Sequence, residues 1–212
     1  MNKKLIVVVF SIFLMLSLIG IASAQLTVGV KAGDWIQYQV SFTGTPPDPS
    51  HSVVSANMTV LGVQGTAINV NIISTLSNGT QLSTDSTLNL QTGQLIDNFI
   101  IPANLAKGDQ FYDSNVGNIT IANVNEGTYA GATRTVVNAT SGNNTYVWDQ
   151  TTGIDVEGFS SGTNYTMHTL VVATNIWQSQ VPEFNTTIIG SITFFGAIAV
   201  VTVAVVLTRK RK

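Results

Sequence analysis

The chain has 212 residues, no cysteine, 9% charged residues and a formal net charge of −2 at neutral pH. Without cysteine there is no disulfide scaffold, no thiol nucleophile, no lipid-modified cysteine and no thiolate zinc site. Between the two ends, three cations (Lys31, Lys107 and Arg134) stand against eleven acids. That net of −8 makes nucleic acid and anionic headgroups poor partners.

The chain opens with a secretory signal over residues 1–24. Lys3 and Lys4 form its positive start, Leu5 to Ile21 its apolar centre, and Ala22-Ser23-Ala24 a small-residue cleavage site before Gln25. From 25 to 180 the composition turns to Thr, Val, Ile, Asn and Gly, and the pattern alternates. In "WIQYQVSF" (35–42), Ile36, Tyr38, Val40 and Phe42 share one face, with Gln37, Gln39 and Ser41 on the other. "AINVNIISTL" (67–76) repeats this with Ile68, Val70 and Ile72 against Asn69 and Asn71, and "LSTDSTLNL" (82–90) does so more weakly. A period of two marks half-buried strands.

Turn signals punctuate the strands. Gly-Thr pairs stand at 44–45, 65–66, 79–80, 127–128 and 162–163, and three of them open alternating runs. Glycine supplies the positive φ of a tight turn, and threonine starts the next strand. "LQTGQL" (90–95) and "DQTTGID" (149–155) read as further hairpin turns, "GTPPDPS" (44–50) as an exposed loop, and "PANLAKGD" (102–109) as a helical turn or loop. These features predict one all-β domain, an antiparallel meander of about nine to eleven strands closing as a sandwich, a half-barrel or a curved open sheet.

"GFSSG" (158–162) fits the G-x-S-x-G form of a hydrolase nucleophile elbow, but that motif needs a strand–turn–helix and an acid and histidine further on. Only His168 follows Ser160, no Asp does, and the next residues alternate as a strand. The expectation is therefore a glycine-bounded hairpin turn. His51 and His168 have no partner at ligand spacing. Asp149, Asp155 and Glu157 flank a turn without a Ca²⁺-loop spacing and read as solvated carboxylates, as do Asp109 and Asp113. Arg134 is expected to pair with an acid. No catalytic residue, metal ligand or cofactor site is assigned, and the expected role is non-enzymatic.

Seven N-x-[ST] sequons stand at Asn57, Asn78, Asn118, Asn138, Asn143, Asn164 and Asn185, all on the exported side. They are candidate glycan acceptors, with Asn78 and Asn143 in expected turns and Asn185 crowded by the membrane. After a juxtamembrane segment (181–187), residues 188–207 form a run of 20 uncharged residues, about 30 Å long as a helix and matched to a bilayer core. The basic tail 208–212, ending "RKRK", marks the cytoplasmic side. The expected product is a single-pass membrane protein with its β domain outside the cell.

Pro182, Glu183 and Phe184, then the span, then Arg209 to Lys212, form a three-part tail. It resembles the PEF-type C-terminal sorting tails of archaeal surface proteins, and the resemblance implies processing by an archaeosortase. Asn185 departs from the usual residue after Phe and favours a retained anchor, with Phe184 as an interfacial aromatic. "VKAGDWIQYQV", "IIPANLAKGD" and "YVWDQTTGIDVE" look like stretches of archaeal secreted proteins, and the last resembles the LolA-like half-barrel lipoprotein carriers. That resemblance implies a curved sheet able to hold acyl chains, with no particular residue carried over. Two roles follow as expectations: a surface protein that binds or builds the envelope through other envelope proteins, or a carrier or sensor of a hydrophobic ligand.

Overall fold

A computed structural model describes residues 26–46 and 52–179. The signal segment with Ala24 and Gln25, the loop around His51, and everything from residue 180 onward lie outside the described residues. That includes Pro182, Glu183, Phe184, Asn185, the expected span and the basic tail.

Eleven strands run in order: β1 (Trp35–Gly44), β2 (Val53–Gln64), β3 (Ala67–Leu76), β4 (Gln81–Asn89), β5 (Gln110–Asp113), β6 (Gly117–Thr120), β7 (Asn123–Tyr129), β8 (Ala132–Ser141), β9 (Asn144–Asp149), β10 (Asp155–Ser161) and β11 (Tyr165–Thr174). Nine of them form one antiparallel sheet in the order β4-β3-β2-β1-β11-β10-β9-β8-β7, and β5 and β6 pair as a separate hairpin. Two meanders, β1–β4 and β7–β11, are thus stitched together where the first strand meets the last. The nine strands make one continuous antiparallel meander sheet with β4 and β7 as its edges.

The alternation read from the sequence sets the two faces. In β1, Ile36 and Tyr38 are buried while Gln37 and Gln39 are exposed. Register carries the inner face across the sheet: Ile36 lies opposite Met58, Val60 opposite Val70, and Ile68 opposite Leu88. A single sheet needs cover for such a face. The segment between β4 and β7 provides it, burying Leu95, Ile100, Ile101, Phe111 and Ile119 against the strands. Each such side chain contributes roughly 1.5–3 kcal/mol when removed from water.

Hydrogen bonds to neighbouring segments of the chain pin this cover. The N–H of Ile101 donates to Gly153 O, that of Asp155 to Phe99 O and that of Ala103 to Thr27 O, at 2.8–2.9 Å. The Trp148 indole N–H donates to Asn98 O at 2.8 Å. The cover reaches only one end of the inner face. Along β1, Ile36 and Tyr38 are buried but Val40 and Phe42 only half so; along β11, Val171 is buried and Thr169 and Met167 half-buried. The inner face therefore stays open toward the β8–β9 and β10–β11 turns.

The outer face of β1–β4 is polar, with Asn71 donating to Asp85 (2.6 Å) and the Thr87 hydroxyl to Asn69 (2.8 Å) across strands. Over β8 the segment after β11 adds its own cover. Trp177 donates its indole N–H to Tyr129 O at 3.0 Å and lies 4.8 Å from the Arg134 guanidinium.

Most expected turns are where the glycines put them, with Gly65, Gly79, Gly93 and Gly153 at positive φ. Gly127 differs. It lies inside β7, where the Tyr129 ring takes the space a side chain would need. Residues 102–109 form no helix; the turn is made with Asn104 and Gly108 at φ 64° and 90°.

Candidate ligand cleft on the inner face

The open part of the inner face holds a cleft of about 200 Å³. Its walls come from four sources: Asp97 and Phe99 of the covering segment, Tyr146 of β9, Asp155 and Gly158 of β10, and Met167 of β11. Asn144, Ser160 and Thr169 continue the lining toward the open end.

A bulge builds its deep end. β10 pairs Asp155 with Trp148 and then Glu157 with Val147, so Val156 is an extra residue and the strand bends there. Asp155 is 4% exposed, and its Oδ1 has no hydrogen-bond partner among the described residues. Burial pushes its pKa well above the ordinary carboxylate value; backbone N–H groups of Val147 and Glu157 pull it down, and the charge of Glu157 raises it again. Burial wins because an ionised carboxylate loses its hydration there without gaining a counter-ion. Beside it, Gly158 leaves the floor bare: a Cβ there would sit 3.6 Å from Asp155 Oδ2 and 4.0 Å from Thr169, with nothing closer.

The aromatic wall is held from behind. Tyr146 stacks on Trp148 with ring centres 5.3 Å apart, and Phe111 meets Trp148 edge-on at 5.5 Å. Phe99 lies 5.7 Å from Tyr38, whose hydroxyl donates to Asp155 O at 3.0 Å. Burial, followed by the charge of Asp155, raises the Tyr38 pKa well above the ordinary phenol value, so Tyr38 stays a neutral donor. The remaining wall is strained. Ile96, Asp97 and Asn98 have φ of 48°, 54° and 59°, three consecutive left-handed residues that are not glycine. Each costs roughly 1–2 kcal/mol, and such strain persists only where surrounding structure enforces it. Here the Trp148–Asn98 hydrogen bond and the Asp155–Phe99 backbone bond do so.

The residues singled out in the sequence fall as follows. "GFSSG" is not a turn: Gly158 to Ser161 belong to β10, and only Gly162 begins the turn into β11. Ser160 opposes Met167 and faces the cleft, while His168 opposes Phe159 on the outer face. The two are therefore on opposite sides of the sheet, and no nucleophile elbow forms. His168 Nε2 instead lies 2.8 Å from Glu157 Oε1, with its ring stacked on Phe159 at 4.4 Å. Glu157 Oε2 also accepts from the Tyr129 hydroxyl at 3.1 Å. The Tyr129 pKa is pushed up to about 12 by burial and by Glu157.

Asp149 and Asp155 are not the solvated turn carboxylates expected, being 0% and 4% exposed. Asp149 accepts Arg134 Nε at 2.7 Å and Nη2 at 3.2 Å, and also the N–H and hydroxyl of Thr152. Arg134 thus pairs with an acid, as expected. Asp113 is likewise buried and accepts the Asn115 N–H at 2.6 Å, whereas Asp109 is exposed and accepts from Ala106. Among the described residues no group of three or more acids and histidines is placed to hold a metal ion.

Of the sequons, Asn57, Asn78, Asn118, Asn143 and Asn164 are exposed and Asn138 is half-buried. Asn78 is in the β3–β4 turn, with its Oδ1 accepting the Thr80 N–H at 2.9 Å, and Asn143 is in the β8–β9 turn.

Sequence reasoning missed the cleft. One signal for it was Gly158, a glycine at an inward position inside a strand, which marks a place where something must approach the backbone. No protein-family model matches the chain, and no curated protein is similar to it in sequence.

Proposed function

We propose that this chain is a non-enzymatic, membrane-held surface protein whose outward β domain binds a ligand in the inner-face cleft. The observation that carries the binding role is the cleft itself, a partly roofed hollow with a bare glycine floor and a buried carboxyl whose Oδ1 has no partner. A module that served only as envelope structure would gain nothing from keeping that space empty, since closing it would bury more apolar surface.

The placement in the cell rests on the sequence. The signal at 1–24, the apolar run 188–207 and the basic tail 208–212 support export, a single span and a cytoplasmic C-terminus. The PEF-like tail supports an archaeal surface, with the anchor retained; archaeosortase processing near Phe184 is the other fate that tail allows. Exposed sequons on the same domain are consistent with an outward-facing glycoprotein. The one-sided cover leaves part of the inner face open, which supports a soluble or lipid-borne ligand over a purely structural role.

Native and denatured mass spectrometry on the full chain, extracted gently from its own membranes, tests the binding role. The expected result is a defined small mass lost on denaturation from the wild type and missing from Gly158→Leu, which fills the floor. Identical native and denatured masses, or whole multiples of the chain, would favour an envelope-structural role. The denatured mass also distinguishes a retained Lys212 from a chain ending near Phe184.

A further inference from the structure

Resting on the reading of the cleft as a binding site, we propose that its ligand carries a small organic cation, an amine or quaternary ammonium group, seated against Phe99 and Tyr146 with its charge beside Asp155. The lining holds two carboxyl groups, Asp97 and Asp155, and no cationic side chain. The three cations of the described residues are engaged elsewhere: Lys31 with Asp34, Lys107 with Asn123 and Arg134 with Asp149. His168 faces the opposite side of the sheet and pairs with Glu157. The cleft therefore has an unbalanced negative charge and aromatic faces, the two features that hold an organic cation.

The second observation is that Asp155, a lining residue of the cleft, is nine-tenths buried and its Oδ1 has no hydrogen-bond partner among the described residues. A buried polar atom without a partner costs stability, and a cationic group beside it would remove that cost. A hydrated metal ion fits less well, because no third oxygen-bearing acid or histidine joins the pair. A fatty-acid anion would bring a second negative charge beside the Asp97 carboxyl. The strained turn at 96–98 has a use on this account, since it brings Asp97 and Phe99 to the same wall.

Entry of a cation also draws the proton from Asp155, because a counter-ion favours the ionised form that burial now opposes. The titratable groups around it are Asp97 on the cover, Glu157 on its own strand, Tyr38 on β1, Tyr146 on β9 and, through Glu157, Tyr129 and His168. Burial raises the Asp155 carboxyl pKa, so it is the proton source.

Isothermal titration calorimetry on the full chain in a neutral detergent tests this with three probes: tetramethylammonium, octanoate and octanol. Tetramethylammonium is expected to saturate the wild type, to bind at least tenfold more weakly to Asp155→Asn and to Tyr146→Ala, and to fail with Gly158→Leu. Its heat is expected to change with the ionisation enthalpy of the buffer, as proton release requires. Equal affinity for wild type and Asp155→Asn would overturn the proposal. Binding of octanoate or octanol but not tetramethylammonium, abolished by Gly158→Leu, would overturn the cation while leaving the cleft a binding site. Saturation by none of the three would overturn the cation assignment, and the mass measurement above would then decide the binding role alone.

Discussion

A carboxyl group buried without a counter-ion prefers to keep its proton, and at Asp155 this preference has a consequence for folding. Its pKa is raised in the folded state relative to the unfolded chain. Below the ordinary carboxylate range both states hold the proton, and ionisation of Asp155 contributes nothing to stability. As pH rises through that range the unfolded chain releases its proton first, so stability falls until pH passes the raised value. Asp155→Asn removes the titration while keeping the shape and an oxygen for the Val147 and Glu157 N–H groups. Thermal unfolding of wild type and variant should therefore give similar Tm values near pH 4, with the variant higher at pH 8. A difference that does not change with pH would show that Asp155 is not buried as described. Little of this was legible in the sequence, because acids beside a Gly-containing turn are usually solvated. The β-bulge that turns Asp155 inward leaves no mark in a strand pattern, and the Arg134 that neutralises Asp149 is 15 residues away.

The strands were legible because a sheet with one buried face imposes a period of two on its residues, and β1 and β3 keep that period with few exceptions. Turns followed from glycine at positive φ, as at Gly65 and Gly79. Gly127 and the "GFSSG" stretch misled for one reason: glycine inside a strand has the same letter as glycine in a turn, and only the neighbours across the sheet tell them apart. Pairing order was not legible at all. That β1 joins β11 across more than 120 residues is decided by which apolar faces can be covered together. This pairing makes a prediction at the level of elements. β1 is hydrogen-bonded on both sides, to β2 and β11, whereas β4 and β7 have a partner on one side only. Amide hydrogen exchange should be slowest in β1 and β11 and fastest in β4 and β7. Equal exchange in β1–β11 and at the edges would mean that the two meanders open as separate units.

For the molecule as a whole, the sequence and the described structure speak to different parts. The nine-stranded sheet with its one-sided cover forms the inner-face cleft. The ends, which lie outside the described residues, carry the case for export and anchoring through composition alone. The native absence of cysteine makes that case easy to test. A single cysteine introduced as Asn78→Cys, in the exposed β3–β4 turn, should react with a membrane-impermeant maleimide on intact cells. The same reagent should reach Thr208→Cys only after the cells are broken open. Labelling of both positions on intact cells would contradict a single retained span with a cytoplasmic tail.

The most direct test of the central claim, that the inner-face cleft is a binding site, is an experimental density map of the full chain purified from its own membranes. Density for a bound molecule is expected in contact with Phe99 and Tyr146 and beside the Asp155 carboxyl. A cleft filled by the Phe99 side chain, or by water alone with Asp155 Oδ1 hydrogen-bonded to a protein group, would contradict it.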